Sequence, residues 1–282
     1  MQTEDQASEL RKLMHQATHT RTIAVTSGKG GVGKSNLALN LSILLAGAGN
    51  RVALVDGDMG LANLDLLAGV EVKGNISHVI AGKRELADII IDLPCGIQLV
   101  PGASGLAKLA DLSQFRRAAL VRDLAQLEAD NDIVLVDTAA GIGQDVLYFA
   151  TSADNVLVVT VPEPTAIADA YAVIKVLTQH GYEGQISVLV NMAPGRGEAR
   201  MTYQRIANVA RQFLGVRLLD AGYVLADAKV REAVRKREPF VLTHPRCSAS
   251  RCMAVLATKL CAGGALVEKT EGFFRRVANW FA

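Results

Sequence analysis

This chain has almost no excess of either positive or negative charge. Its 282 residues carry 30 Lys and Arg against 28 Asp and Glu, a formal net charge of +2. So even a balance argues against a globally electropositive nucleic-acid binder and leaves only local basic patches open. Cysteine is sparse too. Cys95, Cys247, Cys252 and Cys261 form no C-x-x-C pair, and an α/β chain of this length needs no disulfide framework, so reduced thiols are expected. His244, Cys247 and Cys252 lie near one another but are too few and too widely spaced for structural zinc. No uncharged apolar run approaches the ~20 residues that span a bilayer. The polar start Met1-Gln2-Thr3-Glu4-Asp5 is neither a secretory signal nor a transit peptide. These absences point to a cytosolic protein.

What is present is apolar and periodic. Half of the residues are hydrophobic and mean hydropathy is +0.23, enough for a substantial core. Residues 1–20 read as a lone helix, with Thr3 and Gln6 spaced as a capping box and Ala7, Leu10, Leu13, Met14 and Ala17 forming a stripe. Residues 21–263 alternate short β-branched runs with amphipathic stretches. The spacing predicts strands at Thr22–Thr26, Val52–Asp56, Ile97–Val100, Ile133–Asp137, Val156–Val161, Ile186–Asn191 and Val216–Tyr223. Helices are expected at Ser35–Ala46, Gln114–Ala129, Thr165–His180 and Thr202–Phe213. Apolar strands interleaved with helices imply an α/β fold: a single doubly wound, mostly parallel sheet covered on both faces. Residues 264–282 read as a linker and a separate amphipathic helix.

The motif Gly28-Lys29-Gly30-Gly31-Val32-Gly33-Lys34-Ser35 follows an apolar strand and opens a helix, the setting a phosphate-binding loop requires. Its glycines let successive N–H groups and the helix N-terminus face phosphate oxygens. Lys34 is placed to reach the β- and γ-phosphates, and Ser35 to ligate Mg²⁺. Asn36 follows in the same turn. Asp137, ending an apolar strand, is the expected carboxylate of the Mg²⁺ shell, with Thr138–Gly143 as a second switch. Asp56 and Asp58 follow another strand; Asp58 is the candidate to orient attacking water, whereas turn chemistry alone could explain both. The strand before Asn191-Met192-Ala193-Pro194 lacks the N-K-x-D sequence that reads guanine, so ATP is expected, with Asn191 near the adenine edge.

The tail carries Phe273, Phe274, Val277, Trp280 and Phe281 at i, i+1, i+4, i+7 and i+8, one helical face, with Arg275, Arg276 and Asn279 on the other. A helix of 11 or 12 residues is about 17 Å long, too short to span. Such a segment reads as an interfacial anchor, or else as a helix packed on the protein's own surface or in a partner groove.

Lys29 completes the signature K-G-G-V-G-K-S, which resembles the deviant Walker-A, MinD/ParA class. The resemblance implies that Lys29 crosses an ATP-dependent homodimer to touch the partner's phosphates, and that Asp58 is the catalytic first-switch aspartate. The match extends from Arg21 to Leu260. It sharpens towards flagellar-number regulators of the FleN/FlhG type through Asp56-Gly57-Asp58 with Gly60-Leu61-Ala62-Asn63, Asp137-Thr138-Ala139-Ala140-Gly141-Ile142, and Glu163-Pro164-Thr165 with Asp169-Ala170-Tyr171. Asp5-Gln6-Ala7-Ser8-Glu9-Leu10-Arg11 is similar to that family's D-Q-A-x-x-L-R element, which implies a role for Gln6 in stimulating an FlhF-type GTPase. The tail resembles the MinD-type membrane-targeting helix. Together these imply a slow, Mg²⁺-dependent ATP hydrolase, peripheral to the inner face of the cell membrane, which controls flagellar number or placement and also restrains a flagellar transcription activator. No specific nucleic acid is expected.

Two features depart from the family pattern: Ser35 replaces the commoner threonine, and Leu225 stands where many relatives carry proline. The alternatives are a ParA-type DNA-partitioning ATPase, using Arg231, Arg235, Lys236 and Arg237, and a division-site MinD. An electron-transfer iron protein would need cysteines near the second switch, and residues 137–141 have none.

Overall fold

The computed structural model describes residues 20–58, 63–93, 96–102, 113–262 and 271–280. The helix expected over residues 1–20, Gln6 included, and also Phe281, Cys95 and Met59–Ala62 lie outside the described residues, Thr20 apart.

The strands are β1 (Arg21–Ser27), β2 (Val52–Gly57), β3 (Ile91–Leu93), β4 (Ile97–Val100), β5 (Ile133–Ala140), β6 (Asn155–Thr160), β7 (Gln185–Ala193) and β8 (Leu219–Leu225). They form one sheet in the order β3-β4-β2-β5-β1-β6-β7-β8. Every pairing is parallel except β3 with β4. The interior strands are apolar on both faces because both faces are covered. Along β1, Ala24 turns to one layer and Ile23 and Val25 to the other, as a period of two requires.

One layer holds α1 (Lys34–Gly47), α9 (Ala228–Lys236), α10 (Phe240–Thr243) and α11 (Ser248–Ala262). The other holds α5 (Gln114–Ala129), α6 (Gln144–Ser152), α7 (Pro164–Gln179) and α8 (Arg196–Leu214). Short helices α2 (Leu64–Ala68), α3 (Ile76–Ile80) and α4 (Leu86–Ile89) lie between β2 and β3 in the chain. Local chemistry sets several boundaries. Pro164 occupies the first turn of α7, where a missing N–H costs nothing. Gly215 ends α8 in the left-handed conformation. Asp227 caps α9 by accepting from Lys229 N at 2.9 Å.

The last element, α12 (Phe273–Asn279), departs from the sequence reading of a separate exposed anchor. It is shorter than expected, and Phe273, Phe274 and Val277 are buried in the same core layer as α5 and α6. Phe273 stacks on Phe149 at 6.5 Å between ring centroids, and Trp280, half exposed, lies 5.1 Å from Tyr148. Polar contacts fix the seat. The Glu128 carboxylate accepts from Phe273 N (2.8 Å) and Phe274 N (3.3 Å), satisfying orphan amides at the helix start. Arg276 donates to Ser152 O (2.7 Å) and to the buried Asp154 carboxylate (3.1 Å). An apolar stripe at helical spacing needs an apolar cover. Here α5 and α6 supply it.

Candidate functional site

The phosphate loop joins β1 to α1 at the carboxyl end of the central strands, where ligands bind in open α/β sheets. Gly31 and Gly33 adopt φ of 80° and 86°, which L-residues with side chains rarely hold. Gly33 is the N-cap of α1 and has no side chain to satisfy the helix's first amides. Those amides therefore face the loop cavity as an anion cradle.

Lys34 and Asp137 meet inside this loop. Lys34 Nζ donates to Asp137 Oδ1 at 2.5 Å and lies 3.5 Å from Ser35 Oγ. Both charged groups are nearly fully buried, at 7% and 1% exposure, which is tolerable only because they pair. Burial pushes the Asp137 carboxyl above its ordinary range, against the opposing pull of Lys34 and Ser35. The sequence-predicted Lys34, Ser35 and Asp137 are thus brought together.

Sequence reasoning gave too little to Asp56. Parallel pairing sets Asp56 directly beside Asp137 on the neighbouring strand. Asp56 is almost completely buried, and burial first, then the Asp137 charge, pushes its carboxyl up to about 7. Asp58 N donates to Asp56 Oδ1 at 3.2 Å, so the first switch hangs from Asp56. The only sequence signal was the aspartate at the end of a buried strand. Buried carboxylates beside a serine hydroxyl and a lysine are a hard-oxygen donor set, and they fit Mg²⁺ with a phosphate chain.

Lys29 lies on the surface, where its Nζ contacts Glu163 Oε2 (2.8 Å) and Thr165 Oγ1 (3.2 Å). The Glu-Pro-Thr stretch, singled out for its pattern alone, thus holds the signature lysine within its own chain. Asn191 Nδ2 donates to Val32 O at 2.7 Å, tying the end of β7 to the phosphate loop. Beside it a cavity of about 220 Å³ is lined by Gly33, Asn36, Asn191, Leu225, Asp227 and Phe240, among others. Leu225, where relatives were expected to carry proline, therefore lines the cavity. Met192, on the same wall, has φ of 52°; a side-chain-bearing residue in the left-handed region marks a locally constrained site. Among the described residues no group of three or more His, Cys, Asp or Glu could hold a metal, and Cys247 instead contacts Ser250 Oγ at 3.2 Å.

A strand–loop–helix phosphate cradle with a strand-end aspartate, on a parallel sheet of this order, defines a P-loop nucleotide-binding protein. Residues 20–185 match the family described as AAA domain. The chain is 41% identical over 240 residues to the antiactivator FleN of Pseudomonas aeruginosa, covering 85% of this chain and 86% of that one. It is 34% identical over 292 residues to the flagellum site-determining protein YlxH of Helicobacter pylori, covering 98% and 99%. Among solved structures, a chain of the MinC:MinD cell division protein complex of Aquifex aeolicus superposes with a TM-score of 0.71 at 25% identity, over 89% of this chain and 99% of that one. The chain belongs to the MinD/ParA-like ATPase family, in the branch that contains the flagellar FleN and YlxH proteins.

Proposed function

We propose that this protein is a regulatory ATPase switch that binds Mg²⁺-ATP, dimerises on it, and sets flagellar number or placement. The observation that carries the reading is the buried Lys34–Asp137 pair, held beside Ser35 at the start of α1, whose N-cap Gly33 supplies no side-chain cap. Lys34 would exchange Asp137 for the β- and γ-phosphates, freeing the carboxylate for the cation shell. Mg²⁺ would be held by Ser35 and Asp137, with Asp56 behind them, and would supply charge neutralisation at the transferred phosphoryl group. Asp58 would orient the attacking water. Asn191 spends one amide N–H on Val32 O, which leaves its second N–H and its carbonyl oxygen for the adenine edge.

Lys29 would leave Glu163 and Thr165 to reach the partner's phosphates in the dimer. An exposed ion pair is worth only about 0.2–1 kcal/mol, so this exchange costs little. The name of the Pseudomonas relative, antiactivator, supports restraint of a flagellar transcription activator. The name of the Helicobacter relative, flagellum site-determining protein, supports a role in placement. Stimulation of an FlhF-type GTPase through Gln6 and membrane residence through Phe273, Phe274, Val277, Trp280 and Phe281 complete the proposal. Lipid engagement by that face requires α12 to leave its seat, because Phe273, Phe274 and Val277 are buried in the domain.

The test compares Asp58→Ala and Lys29→Ala for ATP turnover and for dimer formation by light scattering with Mg²⁺-ATP. Asp58→Ala is expected to dimerise and fail to turn over; Lys29→Ala is expected to lose both. Normal hydrolysis by Asp58→Ala would overturn its assignment.

A further inference from the structure

A second depression, about 690 Å³ and distinct from the nucleotide cavity, lies between α5 and the α3–α4 segment. Its floor is apolar, with Ile80, Ile90 and Leu120 among its walls, and Phe115 stands at its rim with 84% of its surface exposed. We propose that this groove is the docking site of the chain's own N-terminal segment, residues 7–17.

The first ground is position. Thr20 begins the described chain, and its hydroxyl lies 2.9 Å from Glu128 O and 3.0 Å from Asn131 O, sharing a hydrogen bond between them. Asn131 in turn donates to Gln98 Oε1 and Leu127 O, and Gln98 and Leu127 both line the groove. The segment therefore leaves the domain at one end of the groove, with no distance to cross.

The second is length and pattern. Residues 7–17 as a helix measure about 16 Å, and the α5 wall, 16 residues, measures about 24 Å. Ala7, Leu10, Leu13, Met14 and Ala17 form one apolar stripe, which needs a cover. A helix this short is marginal alone in water and gains its stability from a packed face.

The third is charge. Along α5 the groove runs from Asp130 at the exit, through Asp123, to Arg116 at the far end, where the Arg116 guanidinium lies over Gly82. A segment running back from Thr20 sets His15, Lys12 and Arg11 nearer the aspartates and Glu9, Asp5 and Glu4 nearer Arg116. Opposite charges then meet along the α5 wall, with Arg84 and Glu85 side by side on the facing wall, and this fixes direction as well as position. The docking stands whether or not the same segment also meets a GTPase, so neither idea falls with the other.

The test places a photo-crosslinking benzoylphenylalanine at Leu13 of the full-length chain and maps the captured peptide by mass spectrometry. The expected result is a crosslink within the same chain, independent of protein concentration, to peptides spanning 79–90 or 115–130. Asp123→Arg with Asp130→Arg should lower its yield about 5-fold or more, and Arg11→Glu with Lys12→Glu on that background should restore it. A crosslink between chains, to residues 103–112 alone, elsewhere on the domain, or none, would overturn the proposal. So would a yield unmoved by the charge reversals.

Discussion

Gly28 lies directly beneath Asp169 of α7: a Cβ built on Gly28 would come within 2.2 Å of the Asp169 carbonyl oxygen. This first glycine of the phosphate loop is thus required by helix packing, whereas Gly31 and Gly33 are required by backbone conformation. Gly28→Ala is expected to destabilise the ligand-free protein by about 1–3 kcal/mol through overpacking. Gly30→Ala meets nothing within 4 Å and should stay within about 0.5 kcal/mol. Urea unfolding of the two variants checks the contrast.

Lys34→Ala leaves Asp137 buried without its cation. Removing one partner of a buried pair typically costs about 3–5 kcal/mol. The variant is expected to lose stability in thermal unfolding, and ATP binding with it. Asp137→Asn is expected to lose stability as well, because it leaves the buried Lys34 ammonium with an amide oxygen in place of its counter-charge.

Asp56 gives a pH dependence. Its carboxyl, ordinarily near 3.8, is pushed up to about 7 in the folded chain, so the folded state holds the proton more tightly than the unfolded one. The contribution is full below about pH 4 and is lost as pH rises through about 7. Asp56→Asn removes that loss. Relative to the parent, the ligand-free variant should gain up to ~2–3 kcal/mol between pH 5 and pH 8. Equal pH profiles for the two proteins would refute the assignment.

Glu128→Ala removes the acceptor for two buried amides at the start of α12. Loss of a cap costs about 0.5–2 kcal/mol, and the helix should be the first element to exchange its amides. If the apolar face of α12 binds lipid, Glu128→Ala should raise co-sedimentation with anionic liposomes. Phe273→Ala should lower it while destabilising the domain by about 3–5 kcal/mol.

The central strands were legible because their runs are apolar throughout, and the phosphate loop because its spacing is specific. Asp137 stands out for the same reason, at the end of such a run. Strand β3 was not legible: three residues of Ile91–Leu93 carry no periodicity, and their antiparallel partner is set by the tertiary fold. The start of β8 was placed at Val216 rather than Leu219, since an edge strand with exposed Leu219 and Asp220 blurs the pattern. Helix α6, nine residues long, is not among the helices the spacing predicts; it begins at Gln144, just past the 138–143 stretch expected to be the second switch. Asp56 was undervalued because its adjacency to Asp137 is a register fact, invisible along the chain. The tail showed an amphipathic face, but not what covers it. The answer lay with Glu128 and Asp154, 145 and 122 positions away from their partners.

That last separation has a consequence for synthesis. The seat between α5 and α6 is complete in the nascent chain long before the residues that fill it exist. At ~5–20 residues per second, translation of the 122 residues between Asp154 and Arg276 takes roughly 6–24 s. During that interval the side chains that will meet Phe273 and Phe274 are open apolar surface on a growing polypeptide, a window for chaperone capture that closes when α12 arrives.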